Sequence, residues 1–117
     1  MLSVNPGTRI FFAAGATDMR KGFDGLQGIV LGVLEQDPLS GHLFLFINRR
    51  CDKLKILYWD GDGLAIWYRR LEQGTFQTPH VADDQKSAEI RSEDFTMLLR
   101  GIDYRNVRRR KRYSIVS

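Results

Sequence analysis

Apolar positions along this chain recur with two periods, and the two periods divide it into strands and helices. The clearest block is residues 42–74, HLFLFINRRCDKLKILYWDGDGLAIWYRRLEQG. Leu43, Leu45 and Ile47 interleave with Phe44 and Phe46, so this run is apolar on both faces. In the next run Leu54, Ile56 and Tyr58 share one face, with Lys55, Leu57 and Trp59 on the other. The third run spans Leu64 to Leu71 and carries Tyr68, Arg69 and Arg70 near its end. Short runs rich in Ile, Tyr, Trp and Phe, bounded by Asn, Asp and Gly, predict three strands joined by tight turns. Asn48 to Lys53 forms a basic first tip, and Asp60-Gly61-Asp62-Gly63 supplies residues that tolerate positive φ.

The flanking segments follow the same logic. Thr8 to Ala13 predicts a strand, after which Thr17 or Asp18 caps a helix. Met19, Phe23, Leu26, Val30, Val33 and Leu34 then fall at spacings of three and four, a single apolar stripe. Gly22, Gly25, Gly28 and Gly32 lie in that helix, each costing about 1 kcal/mol relative to Ala, which predicts close packing against the sheet. Gly74 to Gln85 is a polar connecting loop. Ser87 to Arg91 predicts a short strand, and Ser92 opens a helix with Phe95, Leu98 and Leu99 on its apolar face. The expected fold is α+β: an antiparallel β-meander packed with two helices on one face, followed by a basic C-terminal tail. Residues 1–104 form one domain and 105–117 a flexible tail.

Charge changes this picture in one place. Of the 18 Lys and Arg, six lie in residues 103–117 (Arg105, Arg108, Arg109, Arg110, Lys111, Arg112) beside one acid, Asp103. The net charge of +4 therefore belongs to the tail, and the body is close to neutral. Five adjacent cations repel one another and favour a solvated segment unless a polyanion orders them. The rest of the composition is that of a folded domain, with 43% hydrophobic and 27% charged residues. No run reaches the roughly 18 apolar residues of a membrane span. A single cysteine and no secretory signal pattern place the expected compartment in the cytoplasm.

Most chemistries find no constellation here. His42, His80 and Cys51 lack zinc spacing. Cys51 sits among Arg49, Arg50 and Lys53, which favour a thiolate, but has no partner base nearby in sequence. Asp18, Asp24, Asp60 and Asp62 can be drawn as the magnesium site of a small nuclease, although a cap, a helix-surface acid and two turn residues explain them more simply. Neither Gly22-Phe23-Asp24-Gly25 nor Gly61-Asp62-Gly63 is a phosphate-binding P-loop. No enzyme activity, metal or cofactor is expected. What stands out is cations beside aromatics. Arg49, Arg50, Lys53 and Lys55 surround the first tip, while Tyr58, Trp59, Trp67, Tyr68, Arg69 and Arg70 follow on the next strands. Such sets suit nucleic acid through phosphate contact and base stacking.

Three blocks of sequence carry a resemblance: Asp18-Met19-Arg20-Lys21-Gly22-Phe23-Asp24-Gly25-Leu26, Phe46-Ile47-Asn48-Arg49-Arg50, and Leu57-Tyr58-Trp59-Asp60-Gly61-Asp62-Gly63. Tyr68 to Phe76 and Leu98 to Asp103 extend it. Together, over roughly residues 5 to 104, the chain resembles the Orf2 or TnpB-type accessory protein of insertion-sequence family sixty-six, encoded beside a DDE transposase. It is not similar to the RNA-guided nuclease that shares the TnpB name. The resemblance implies a non-catalytic role in bacterial DNA transposition, through contact with DNA, with the transposase of the same element, or with both. The alternative is a pure protein–protein adaptor for the transposase that touches no DNA. Cys51 stands where arginine or glycine is also familiar in the family. Arg20 and Lys21 open the predicted helix, where cations oppose the macrodipole, so helix stability does not explain them. The expected nucleic-acid-binding residues are Arg20, Lys21, Arg49, Arg50, Lys53, Arg69 and Arg70, with Arg108, Arg109, Arg110, Lys111 and Arg112 of the tail.

Overall fold

A computed structural model describes residues 2, 4–100, 102–103 and 108–109. Its elements are β1 (Ile10–Ala13), α1 (Phe23–Gly32), β2 (Leu43–Ile47), β3 (Lys53–Trp59), β4 (Leu64–Arg70), β5 (Ser87–Ile90) and α2 (Ser92–Arg100), followed by two short strands, β6 (Ile102–Asp103) and β7 (Arg108–Arg109). The first five strands form one sheet in the order β4-β3-β2-β1-β5. No helix among the described residues is long and apolar enough to cross a membrane.

The fold is α+β as expected, but the sheet is mixed rather than an antiparallel meander. Strands β2, β3 and β4 do form antiparallel hairpins, with Leu45 opposite Ile56 and Ile56 opposite Trp67. Strand β1 instead runs parallel to β2, with Ile10 beside Leu43, and antiparallel to β5. Connection length decides this. The tight turns after β2 and β3 permit only antiparallel pairing, whereas the long β1–β2 link contains α1 and can carry the chain back for a parallel crossover.

The helices also lie on opposite faces of the sheet, not on one. Leu26 and Val30 of α1, with Leu34 just beyond it, pack against Phe11, Ala13, Phe44, Phe46 and Leu57. Phe95 and Leu98 of α2 pack against Ile10, Phe12, Leu43, Leu45, Ile47, Leu54, Ile56 and Tyr58 on the other side. All five residues of β2 are buried, so each of its faces needs its own cover. The polar connection 74–85 contributes as well, because Phe76 is buried in the α2-side core and its amide donates to the Cys51 carbonyl at 2.7 Å.

Helix α1 begins later than its apolar spacing predicts. Residues 18–21 form a turn closed by the Lys21 amide on the Asp18 carbonyl at 3.1 Å, and the cap position is Gly22, which has no side-chain capping bond. Phe23 and Val33, expected in the buried stripe, are exposed, while Leu26, Val30 and Leu34 are buried. The glycines do not mark close approach to the sheet. A β-carbon at Gly22, Gly28 or Gly32 would meet nothing within 4 Å, and one at Gly25 would meet only the Lys21 side chain at 3.1 Å. Beyond α2, the β6 and β7 backbones pair antiparallel, with Ile102 opposite Arg109. The expected tail residues Arg110, Lys111 and Arg112 lie outside the described residues.

Phe44 is fully buried at the centre of the sheet under α1 and stacks on Phe11 at 5.6 Å between ring centroids. Phe44→Ala should destabilise the domain by about 3–5 kcal/mol. In a thermal melt followed by circular dichroism this should lower Tm by at least ~10 °C. A shift of a degree or two would mean that α1 does not depend on this contact.

Candidate nucleic-acid interface

The Asn48–Lys53 turn is held by one side chain. Asn48 Oδ1 accepts the amides of Asp52 (3.0 Å) and Lys53 (2.9 Å), and its Nδ2 donates to the Asp52 carboxylate at 2.7 Å. These bonds fix the tip before any ligand arrives. Hydrogen bonding from Asn48 holds the Asp52 carboxyl below its ordinary pKa, with the charges of Arg50 and Lys53 adding to the effect. Cys51 sits in the left-handed region at φ 59°, a conformation that glycine adopts without penalty. That geometry gives a backbone reason for glycine at this position.

The chain leaving β1 runs alongside this tip. The Thr17 amide donates to the carbonyl of Ile47, the last residue of β2, at 2.7 Å. Residues 16–19 and 48–50, with Lys53, consequently line one shallow hollow. Asp18 does not cap α1. It organises the turn before it, accepting the Arg20 amide at 2.9 Å and the Arg20 guanidinium at 2.7 Å. Those Arg20 bonds hold the Asp18 carboxyl down to about 2 from its usual 3.8.

Lys55 joins the turn to the sheet. Its side chain is buried, and Nζ donates to the carbonyls of Met19 and Lys21, both at 2.8 Å. Sequence alone groups Lys55 with the basic tip. In the structure its charge is spent on carbonyls that precede α1, so it positions Arg20 and Lys21 rather than meeting solvent.

The expected binding residues divide into three groups. Lys21, Arg49 and Arg50 are exposed and Lys53 is half-buried, and none of these four is in a salt bridge among the described residues. Arg20 and Arg70 border the same region but are paired with Asp18 and Glu72. Arg69 lies on the other face of the sheet. It is paired in register with Leu54, stacks on Trp67 at 4.7 Å and donates to the Leu99 carbonyl at 2.8 Å, near the C-terminus of α2. A cation is favourable there because of the helix dipole. Nothing is described of the Arg108 and Arg109 side chains.

The acids of the rival metal site are dispersed. Asp60 accepts the amides of Asp62 and Gly63, both at 3.0 Å, which makes it the organiser of the β3–β4 turn. Asp18 lies beside the opposite end of β3, about 20 Å away at the usual rise per residue. No group of three or more His, Cys, Asp or Glu able to hold a metal is found among the described residues. His42 accepts the Arg9 amide through Nδ1 at 3.0 Å, and His80 is exposed in the 74–85 connection.

Replacing Lys55 with Met keeps the stem and strands two carbonyls. Lys55→Met should cost about 1–3 kcal/mol in denaturant unfolding; unchanged stability would show that the tie is not needed. For Asp18, a folded-state pKa below the unfolded one means that the pairing is fully present above pH 3.8 and lost as pH falls through about 2. An NMR titration should give the Asp18 side-chain carboxyl a midpoint near 2, moving up toward 3.8 in Arg20→Ala. A wild-type midpoint already at 3.8 would remove the pairing from the account.

Comparison with known proteins places the chain in a family. The family described as "IS66 Orf2 like protein" matches residues 8–109. The uncharacterized protein y4jC of Sinorhizobium fredii (strain NBRC 101917 / NGR234) is 36% identical over 110 residues, which cover 94% of this chain and 92% of that protein. The uncharacterized protein y4hO of the same strain is 37% identical over 106 residues, covering 91% and 90%. No solved structure matches the chain. A match over most of the length, through both turns and the strands between them, establishes that the chain belongs to the IS66 Orf2-like family.

Proposed function

We propose that this protein is a non-catalytic accessory factor for transposition of a bacterial insertion sequence and that it contacts DNA directly. The family supports the accessory role. One observation supports the DNA contact: two segments distant in sequence, 16–19 and 48–53, lie side by side with Arg49, Arg50 and Lys53 outside any salt bridge among the described residues, and Lys21, likewise unbridged, follows the first of them. Lys53 is also directly opposite Arg70 in the β3–β4 ladder. Like charges in that relation weaken a sheet, although the Arg70–Glu72 bridge offsets part of the repulsion. The charges of residues 105–117 add to the attraction for DNA, and Arg69 is excluded from the surface by its place on the other face.

A second reading has its own support. Phe23, Leu31 and Val33 on and beside α1 are exposed, at 49, 55 and 45%. Exposed apolar side chains on either side of the buried stripe suit a protein partner such as the transposase. The two readings are compatible, because these side chains and the basic turns belong to different surfaces.

The discriminating measurement is binding of a labelled DNA duplex by the full chain across a salt series. Arg49→Ala/Arg50→Ala should weaken binding and lower the slope of log affinity against log salt by about two, close to 0.9 for each phosphate that is no longer neutralised. A variant with wild-type affinity and slope would take the turn out of the DNA-binding surface. If the wild-type protein binds no DNA at all, the adaptor reading stands alone.

A further inference from the structure

Tyr68 differs from the other aromatic residues of the sheet. Phe11, Phe12, Phe44 and Phe46 are buried, and Trp67 faces the α2 side with Arg69 over its ring. Tyr68 is half exposed on the α1 side, on the outermost strand. Helix α1 covers only part of that strand, because Leu64 and Ile66 pack beneath it while Tyr68 and Arg70 lie beyond its cover.

What surrounds the exposed ring is cationic. Lys55 Nζ lies 4.8 Å from the ring centroid while donating to the Met19 and Lys21 carbonyls, so the ring sits close to the turn carrying Arg20 and Lys21. Lys53 and Arg70 form the next pair along the ladder toward the 48–53 tip. The backbone is open as well. The Leu71 amide bonds to the Asp52 carbonyl, and the Asp60 amide to the Gly63 carbonyl. Alternation from those two pairs turns the N–H and C=O groups of Leu64, Ile66, Tyr68 and Arg70 away from β3, toward the free edge.

We infer that the Tyr68 end of β4 is a stacking platform for an unpaired base of single-stranded DNA, with Lys21 and Lys53 taking the flanking phosphates. The inference rests on the proposed DNA contact and specifies its substrate. An exposed ring ringed by cations offers stacking and charge together, the combination by which single strands are held. A base inside a duplex is already stacked on both faces and cannot reach such a ring without being flipped out.

Fluorescence anisotropy with a short labelled single strand and the duplex of the same sequence tests this on the full chain. Tyr68→Leu should weaken single-strand binding about ten-fold and duplex binding less than two-fold, while Tyr68→Phe, which keeps the ring, binds like wild type. Arg49→Ala/Arg50→Ala should weaken both ligands. A second measurement needs no variant: a 2-aminopurine base in the single strand should change its emission when the wild-type protein binds. The inference is overturned if Tyr68→Leu, melting like wild type, binds the single strand normally or loses both ligands equally. Bound 2-aminopurine with unchanged emission overturns it too, and in each of these cases the basic turns still hold DNA. Absence of any binding by the wild-type protein would overturn the DNA contact itself.

Discussion

Strand β2 sits at the centre of a five-stranded sheet with every side chain buried, and that two-sided burial constrains everything around it. A strand apolar on both faces cannot tolerate water on either, so the chain has to supply a layer above and a layer below. Helix α1 supplies one and α2 the other. Placing α1 between β1 and β2 makes those two strands parallel neighbours, and the tight turns after β2 and β3 then lay the next strands outward as hairpins. The outermost of them, β4, has its first residues under α1 and its last three exposed.

That graded cover is what creates the candidate interface. Helix α1 starts at Phe23 because the preceding residues are committed elsewhere: Asp18 to Arg20, and the Met19 and Lys21 carbonyls to Lys55. A helix beginning four residues earlier would absorb Arg20 and Lys21 into its first turn, where cations face the wrong end of the dipole. The structure avoids this conflict by holding both residues in a turn docked on the sheet. Lys55 is the means, a buried ammonium whose charge is met by backbone carbonyls rather than by an acid.

How far the sequence discloses this depends on the range of the interactions involved. The hairpin strands β2 to β4, with their turns, follow from alternation and from Asn, Asp and Gly placement, all local signals. The apolar character of both β2 faces was legible too, and it already implied two covering layers; reading the helices onto one face overlooked that implication. The parallel β1–β2 pairing was hidden because the crossover separates Ile10 from Leu43, and no local pattern distinguishes a strand that pairs forward from one that pairs backward. At the site, Arg49, Arg50 and Lys53 could be read from the tip. Arg69 could not be separated from Arg70 by composition, although strict alternation along β4 puts them on opposite faces, and the register confirms it. The role of Lys55 depends on carbonyls 34 and 36 residues away and left no signal in its neighbourhood.

The opposed Lys53 and Arg70 bear most directly on what kind of protein this is. The chain resolves several arginine charges locally: Arg9 with Glu89, Arg20 with Asp18, Arg70 with Glu72 and Arg91 with Asp94. The acids that a nuclease would need are likewise spent on turns, Asp18 and Asp60 by their hydrogen bonds to neighbouring amides. In a body whose composition is near neutral, Lys21, Arg49, Arg50 and Lys53 depart from that economy, since none is in a salt bridge among the described residues. They lie where α1 leaves the strand open and where the turns are fixed by Asn48 and Lys55, with the Asp52 carboxylate as their near acidic neighbour. Cations held in fixed turns beside the half-exposed Tyr68 ring are the arrangement on which the proposed contact rests.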